Sequence, residues 1–229
     1  ISQDELATDE ALLRQVFGLL LLAHYQTSPS DLRTLLDAPD LALLTVWEDE
    51  VISGVALIIR EGELETELAE QIWLGRRRPR GQLLPQTLLT HAGYRQAGNF
   101  RYARVMRIAV HPSRQGQGLG QQLLQQAEIW AREQRIDFIG AAFGATPTLL
   151  HFWQQQTYQA VRLGLSRDAA SGCHSIILLK AIVPEISPLL AHWQQQLHAT
   201  LPCYLTRHWR HLPCELVCQL MSNQRSDAE

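Results

Sequence analysis

A single lysine, Lys180, stands in 229 residues, and no glycine-rich stretch ends in Gly-Lys-Ser or Gly-Lys-Thr, which excludes a Walker phosphate loop. The four cysteines, at 173, 203, 214 and 218, form no Cys-x-x-Cys pair. Cys203, His208, His211, Cys214 and Cys218 are dense enough to raise zinc, yet their spacing matches none of the usual patterns. Buried free thiols on a tryptophan-rich helical segment are expected there, and no metal. Long apolar runs are missing as well: the longest, residues 16–23, is too short to span a bilayer and reads as a buried helix. No cationic segment with a cleavage site opens the chain, so a cytoplasmic protein is expected, and the start at Ile1 suggests a piece of something longer. With a formal charge of −3 the chain has no global attraction to nucleic acid. Local basic patches stay open, and the positive charge is nearly all arginine, whose planar fork suits phosphate and base stacking.

What is present describes an ordinary globular chain: 46% hydrophobic and 19% charged residues argue against disorder. Its length suffices for one sizeable core, or one core plus an appendage. The organising stretch is 105–130. An apolar, β-branched run at 105–110 is stopped by His111-Pro112; glycines at every second position follow, and helical periodicity then begins. Gly116, Gly118 and Gly120 permit positive φ and leave no side chain between backbone and ligand, so successive N–H groups can face one concavity. The helix that follows adds its unpaired N–H groups and the positive end of its dipole, making a cradle for a diphosphate. A dinucleotide-binding fold would place such a loop after its first strand, whereas here more than a hundred residues precede it.

Around that unit, apolar spacing predicts a helix over 9–25, a short helix through residue 36 with Ser28 as cap and Pro29 as first helical residue, and a hairpin of strands 41–47 and 51–59. A helical patch over 64–74 leads into Gly75-Arg76-Arg77-Arg78-Pro79-Arg80-Gly81, a cationic loop expected to be mobile, which either neutralises phosphates or is simply a solvated surface. Further on come a strand (137–143), a helix (148–156) and two strands (158–165, 175–182). Composition shifts beyond Pro184, where a helix opening at Ser187-Pro188 should break at Pro202. Arg207, His208, Trp209, Arg210 and His211 then interleave cationic and aromatic groups, as an RNA-stacking surface requires; a helical cap on the core is the alternative.

Gln115-Gly116-Gln117-Gly118-Leu119-Gly120 after Ile-Ala-Val-His-Pro resembles motif A of the GNAT acetyltransferases. The stretches 143–164 and 171–175, together with Leu22-Ala23-His24-Tyr25, Arg78-Pro79-Arg80-Gly81, Leu84-Pro85 and 104–112, narrow the resemblance to the RNA cytidine acetyltransferases, over most of 12–180. The resemblance implies an α/β GNAT fold, a mixed central sheet flanked by helices over 1–183, with a C-terminal helical appendage over 184–229 assigned to tRNA binding. It also implies an ATP-hydrolysing, helicase-like module that precedes this domain in the family and is not in this chain. The implied reaction moves acetyl from acetyl-CoA to the N4 amine of the wobble cytidine of elongator tRNA(Met). Ile108, Ala109 and Val110 would bind pantetheine through their backbone, and Gln115, Gly116, Gln117, Gly118, Leu119, Gly120 and Gln121 the pyrophosphate. Thr148 and Gln155 would flank the CoA arm, where family members tend to carry Glu and Arg. Trp153 stands where many GNAT enzymes place a tyrosine acid.

A weakly basic exocyclic amine needs a group to take its proton, and His24 is the candidate general base, with Tyr25 in an orienting role; a histidine that merely packs in the core is the alternative. His111 reads as a structural stop. Arg76, Arg77, Arg78, Arg80, Arg207, Trp209 and Arg210 are the candidate RNA contacts. Two further functions stay open: a GNAT enzyme acting on a protein amino terminus or small amine, and a non-catalytic RNA-binding module.

Overall fold

The computed structural model describes residues 1–23 and 29–222. Its contacts divide into two compact units, one formed by residues 1–60 with 103–135, the other by 61–102 with 136 onward. A mixed six-stranded sheet, in the order β1-β2-β3-β4-β6-β5, is flanked by helices.

The first unit opens with a helix not foreseen in the sequence, α1 (Gln3–Thr8), fixed by a capping box. Ser2 Oγ accepts the Glu5 N–H at 3.1 Å, and the Glu5 carboxylate accepts the Ser2 N–H at 2.6 Å. Helix α2 (Glu10–Ala23) buries Val16, Leu19 and Leu20 but leaves Leu21 and Leu22 exposed. The expectation of a mostly buried helix is met along one stripe only: an unbroken apolar run points in every direction around a helix, and the residues off the packed face stay exposed. Helix α3 (Pro29–Asp37) follows; the expected Ser28 cap lies outside the described residues, as do His24 and Tyr25.

Strands β1 (Leu41–Glu48) and β2 (Val51–Gly62) pair antiparallel, as the hairpin pattern predicts. Strand β3 (Arg101–Val110) begins four residues earlier than the apolar run. Helix α6 (Leu119–Glu133) buries Leu123, Leu124 and Ala127. Leu6, Val16, Leu20, Leu35, Val55, Leu57 and Ala109 make one core cluster of this unit. An ion pair of Arg107 Nη2 with Asp31 Oδ1, at 2.6 Å, ties α3 to β3.

In the second unit, α4 (Thr66–Trp73) is followed by α5 (Leu83–Thr87), which widens into a π-turn (Leu88–Ala92). Strand β4 (Phe138–Gly144), helix α7 (Pro147–Gln155), β5 (Gln159–Arg167) and β6 (His174–Ala181) come next, with β6 antiparallel to both β4 and β5. Helix α8 (Ser187–Leu205) and α9 (Cys214–Ser222) complete it.

Pro202 does not end α8 as expected. The stripe Leu190, Trp193, Leu197, Leu201 is buried up to that position, and the helix runs on to Leu205 although the exposed proline has no N–H to give the preceding turn. Trp193 stacks on Tyr94 with centroids 4.8 Å apart and lies 5.4 Å from Phe138, so the segment beyond residue 184 shares the core of the second unit. The cysteines correct another expectation. Cys203, Cys214 and Cys218 are exposed and Cys173 half-buried, because the helical ones fall off the packed stripes of α8 and α9. No helix among the described residues is long and apolar enough to cross a membrane.

Candidate active site

The strand, loop and helix predicted to cradle a diphosphate lie together in the first unit. At the end of β3 the His111 N–H donates to the Ser53 carbonyl at 2.9 Å, holding the strand end against β2. His111 Nδ1 lies 2.8 Å from Ser113 Oγ and accepts from the Ser113 N–H, so this histidine caps a turn, as its place before proline suggests. Gln115 Nε2 reaches back to the Val110 carbonyl at 3.3 Å, and Arg114 Nε pairs with Glu48 Oε2 at 3.1 Å, anchoring the loop to β1.

Gly116 and Gly118 hold φ of 77° and 84°, the left-handed region where a side chain is strained. A Cβ on either would project into open space, so the demand for glycine is conformational. Gly118 is the N-cap of α6 and offers no side chain to its free N–H groups. The Gln122 N–H already bonds the Gly118 carbonyl at 3.0 Å, which leaves those of Leu119, Gly120 and Gln121 at the open end of the helix. Gly120 does not use the left-handed region that glycine permits; it lies within the first turn of α6, where the sequence places the helix start. At Gly54 on β2 a Cβ would stand 3.1 Å from Leu123 Cδ1, so the bare backbone lets α6 seat closely. The result is a set of free N–H groups at the positive end of a fifteen-residue helix, suited to an anion with several oxygens. Ile108 and Val110 are half-buried and Ala109 is buried in this same unit.

Thr148 and Gln155 are both exposed on α7 in the second unit, where Gln155 Nε2 lies 2.9 Å from His151 Nε2. Trp153 is buried, stacked on Phe143 at 5.8 Å and edge-on to Tyr158 at 4.8 Å. It fills core and offers no acid.

Arg76, Arg77, Arg78 and Arg80 are exposed, and none pairs with a carboxylate among the described residues. Their loop has defined geometry: the Arg76 and Arg77 N–H groups bond the Gln71 carbonyl at 2.8 and 3.2 Å, setting both cations at the negative end of α4. Arg207 and Arg210 are exposed as well. Trp209 is not. It is 2% exposed, and its indole N–H donates to the Gly164 carbonyl at 2.9 Å, a carbonyl that His174 Nδ1 also approaches at 2.8 Å. The expected stacking role of Trp209 is replaced by anchorage of the tail, since its ring finds a core pocket whose one polar need the strand meets.

Two groups escaped the sequence reading. Arg162 is half-buried on β5, and His91 lies in the π-turn with its pKa pulled below the ordinary value by burial and by the charges of Arg162 and Arg78. An arginine inside a closing strand was the only available signal, and alternation alone does not say which face it takes.

A mixed sheet with a strand, glycine loop and helix N-terminus of this form defines the GNAT class of acyl-CoA N-acyltransferases. The chain belongs to the GNAT acetyltransferase 2 family, whose model matches residues 15–133 and 126–183. It is 41% identical over 221 residues to a tRNA(Met) cytidine acetyltransferase TmcA of Nitrosococcus halophilus, covering 96% of this chain and 30% of that protein. A TmcA of Citrobacter koseri is 42% identical over 181 residues, covering 79% of this chain and 26% of the relative. The chain thus spans less than a third of either relative's length. Among solved structures, the ribosomal-protein-S18-alanine N-acetyltransferase from Escherichia coli superposes with a TM-score of 0.51 at 12% identity, over 76% of this chain and 90% of that one, a likeness of fold alone.

Proposed function

We propose that this chain is the acetyl-transfer part of a longer, cytoplasmic enzyme that forms N4-acetylcytidine at the wobble position of elongator tRNA(Met), using acetyl-CoA, with an ATP-hydrolysing module elsewhere in the full-length protein. The observation that carries this reading is the loop 115–120, which opens α6 with two left-handed glycines, in a chain 41% identical to a relative bearing that activity's name.

The chemistry follows from the acceptor. Cytosine's exocyclic amine is delocalised into its ring, so it attacks a thioester only as its proton is removed. Its nitrogen forms a bond to the acetyl carbon, the carbon–sulfur bond breaks, and the thiolate leaves. The amine proton goes to His24, the base in this reading, with Tyr25 orienting base or nucleobase. Buried Trp153 cannot protonate the thiolate, so water does. The backbone of Ile108, Ala109 and Val110 holds the pantetheine arm and turns an N–H toward the thioester oxygen. Gln115, Gly116, Gln117, Gly118, Leu119, Gly120 and Gln121 take the diphosphate, with Thr148 and Gln155 along the arm. Arg76, Arg77, Arg78, Arg80, Arg207 and Arg210 meet RNA phosphates.

The test is transfer of labelled acetyl from acetyl-CoA to elongator tRNA(Met), alone and with the ATPase module supplied in trans. Label on RNA that vanishes when the wobble cytidine is replaced supports the reading, and its loss in His24→Ala supports the base. Label on a protein amino terminus or small amine instead, or acetyl-CoA binding with no transfer in any arm, overturns it.

A further inference from the structure

A cleft of about 640 Å³ opens in the second unit between the π-turn, β5 and α8. Among the described residues, His91, Arg162, Ser166, Gln196, Thr200 and Tyr204 line it, and no carboxylate does. Arg162 reaches it through a β-bulge: Ala160 pairs with Leu178 and Arg162 with Ile177, so Val161 is an extra residue that re-aims its neighbour. The guanidinium is half-buried and, among the described residues, has no carboxylate within ion-pair distance. Burying a cation without a partner costs stability, and burial pulls its pKa down. The charge is left for something outside the fold to neutralise. The field of Arg78 adds to it, while His91, which burial and its cationic neighbours hold in the uncharged form, joins Ser166, Thr200 and Gln196 in offering uncharged polar groups.

We propose that this cleft binds an internal phosphodiester of single-stranded RNA, with Arg162 as the principal phosphate contact. The proposal rests on the reading of the chain as a tRNA-modifying enzyme. An RNA strand fits better than a free phosphate because cationic groups continue on both sides: the loop carrying Arg78 acts on His91, and Tyr204 on the opposite wall leads into exposed Arg207 and Arg210. Tyr204 also offers a ring on which a base can stack.

The experiment measures binding of the tRNA anticodon stem-loop to the 229-residue chain across a salt series, for wild type, Arg162→Gln, Arg162→Lys and Ser166→Asp, with inorganic phosphate as a competitor and thermal midpoints for each protein. Arg162→Gln is expected to weaken RNA binding roughly tenfold or more and to lower the log–log salt slope by about one. Its midpoint should stay level or rise, because a buried unpaired charge has gone, an outcome that a merely structural arginine would not give. Arg162→Lys should recover part of the affinity. Ser166→Asp, at an exposed wall position, should weaken binding through repulsion and serves if Arg162→Gln does not fold. If wild type binds RNA and neither Arg162→Gln nor Ser166→Asp changes affinity or slope, the cleft proposal is overturned while the tRNA reading stands. If wild type binds no RNA, both fall. Phosphate competition that depends on Arg162, with RNA binding unaltered, assigns the cleft to a small phosphate ligand and overturns the RNA assignment.

Discussion

At the scale of single residues, the strongest constraints are conformational. Gly118 stands at φ 84° with open space where a Cβ would be, so Gly118→Ala should cost on the order of 1 kcal/mol through backbone strain alone. Because that strain falls on the loop that presents the N–H groups, acetyl-CoA affinity, measured by titration calorimetry, should fall about tenfold. Tyr94 is constrained differently. Its hydroxyl lies 2.8 Å from the Trp193 carbonyl and 3.1 Å from that of Val161, and burial pushes its pKa up to about 12. Tyr94→Phe leaves buried carbonyls short of a donor and should destabilise the chain by about 1 kcal/mol in a denaturant titration.

His198 on α8 is half-buried, and its Nε2 has no hydrogen-bond partner among the described residues. Burial holds its pKa below the ordinary 6.5, the backbone at Leu220 acting weakly the other way. The unfolded chain therefore binds the proton more readily. The stability His198 contributes is fully present above about pH 6.5 and is lost as the pH falls toward its folded value. Thermal midpoints should drop between about pH 7 and pH 5 by more in wild type than in His198→Gln. Equal drops would remove His198 from the account.

At the scale of elements, the seat of α6 decides whether the loop is aimed. Gly54 lets Leu123 approach β2 to within 3.1 Å of a would-be Cβ, so Gly54→Val should shift the helix and weaken acetyl-CoA binding while leaving the glycine loop itself intact. A crystal structure of that variant showing α6 unmoved would contradict the claim. This unit was legible in the sequence because its signals are local: a β-branched run, a His-Pro stop, alternating glycines and helical periodicity. The hairpin of β1 and β2 was legible for the same reason. Local signals failed where tertiary packing decided. Pro202 reads as a breaker, but α8, packed through Leu197 and Leu201, continues past it to Leu205. Trp209 beside two arginines reads as a stacking surface, but a carbonyl on β5 forty-five residues away in the chain claims its N–H. The bulge that turns Arg162 into the cleft depends on the register of β5 against β6, which no spacing in β5 alone reveals.

At the scale of the whole molecule, the contacts do not divide where composition shifts. Residues beyond 184 read as an appendage, yet Leu190 and Trp193 pack in one cluster with Tyr94, Phe138 and Val161. Trp193→Ala should cost about 3–5 kcal/mol. Truncation after residue 183 should expose that cluster and give a protein that binds a hydrophobic dye and melts without a sharp transition. A truncated chain that melts cooperatively near the wild-type midpoint would show the tail to be a separable module. The arginine-rich turn after α4 and the exposed Arg207 and Arg210 lie outside that cluster.

The most direct measurement is nucleoside analysis by mass spectrometry of tRNA(Met) incubated with acetyl-CoA and either the wild-type chain or Gly118→Val, with the ATPase module present. The account predicts N4-acetylcytidine at the wobble position with wild type and little or none with the variant, whose RNA binding should be intact. Equal acetylation by both proteins, or none by either despite bound acetyl-CoA, would contradict the claim that the loop at the head of α6 serves RNA cytidine acetylation.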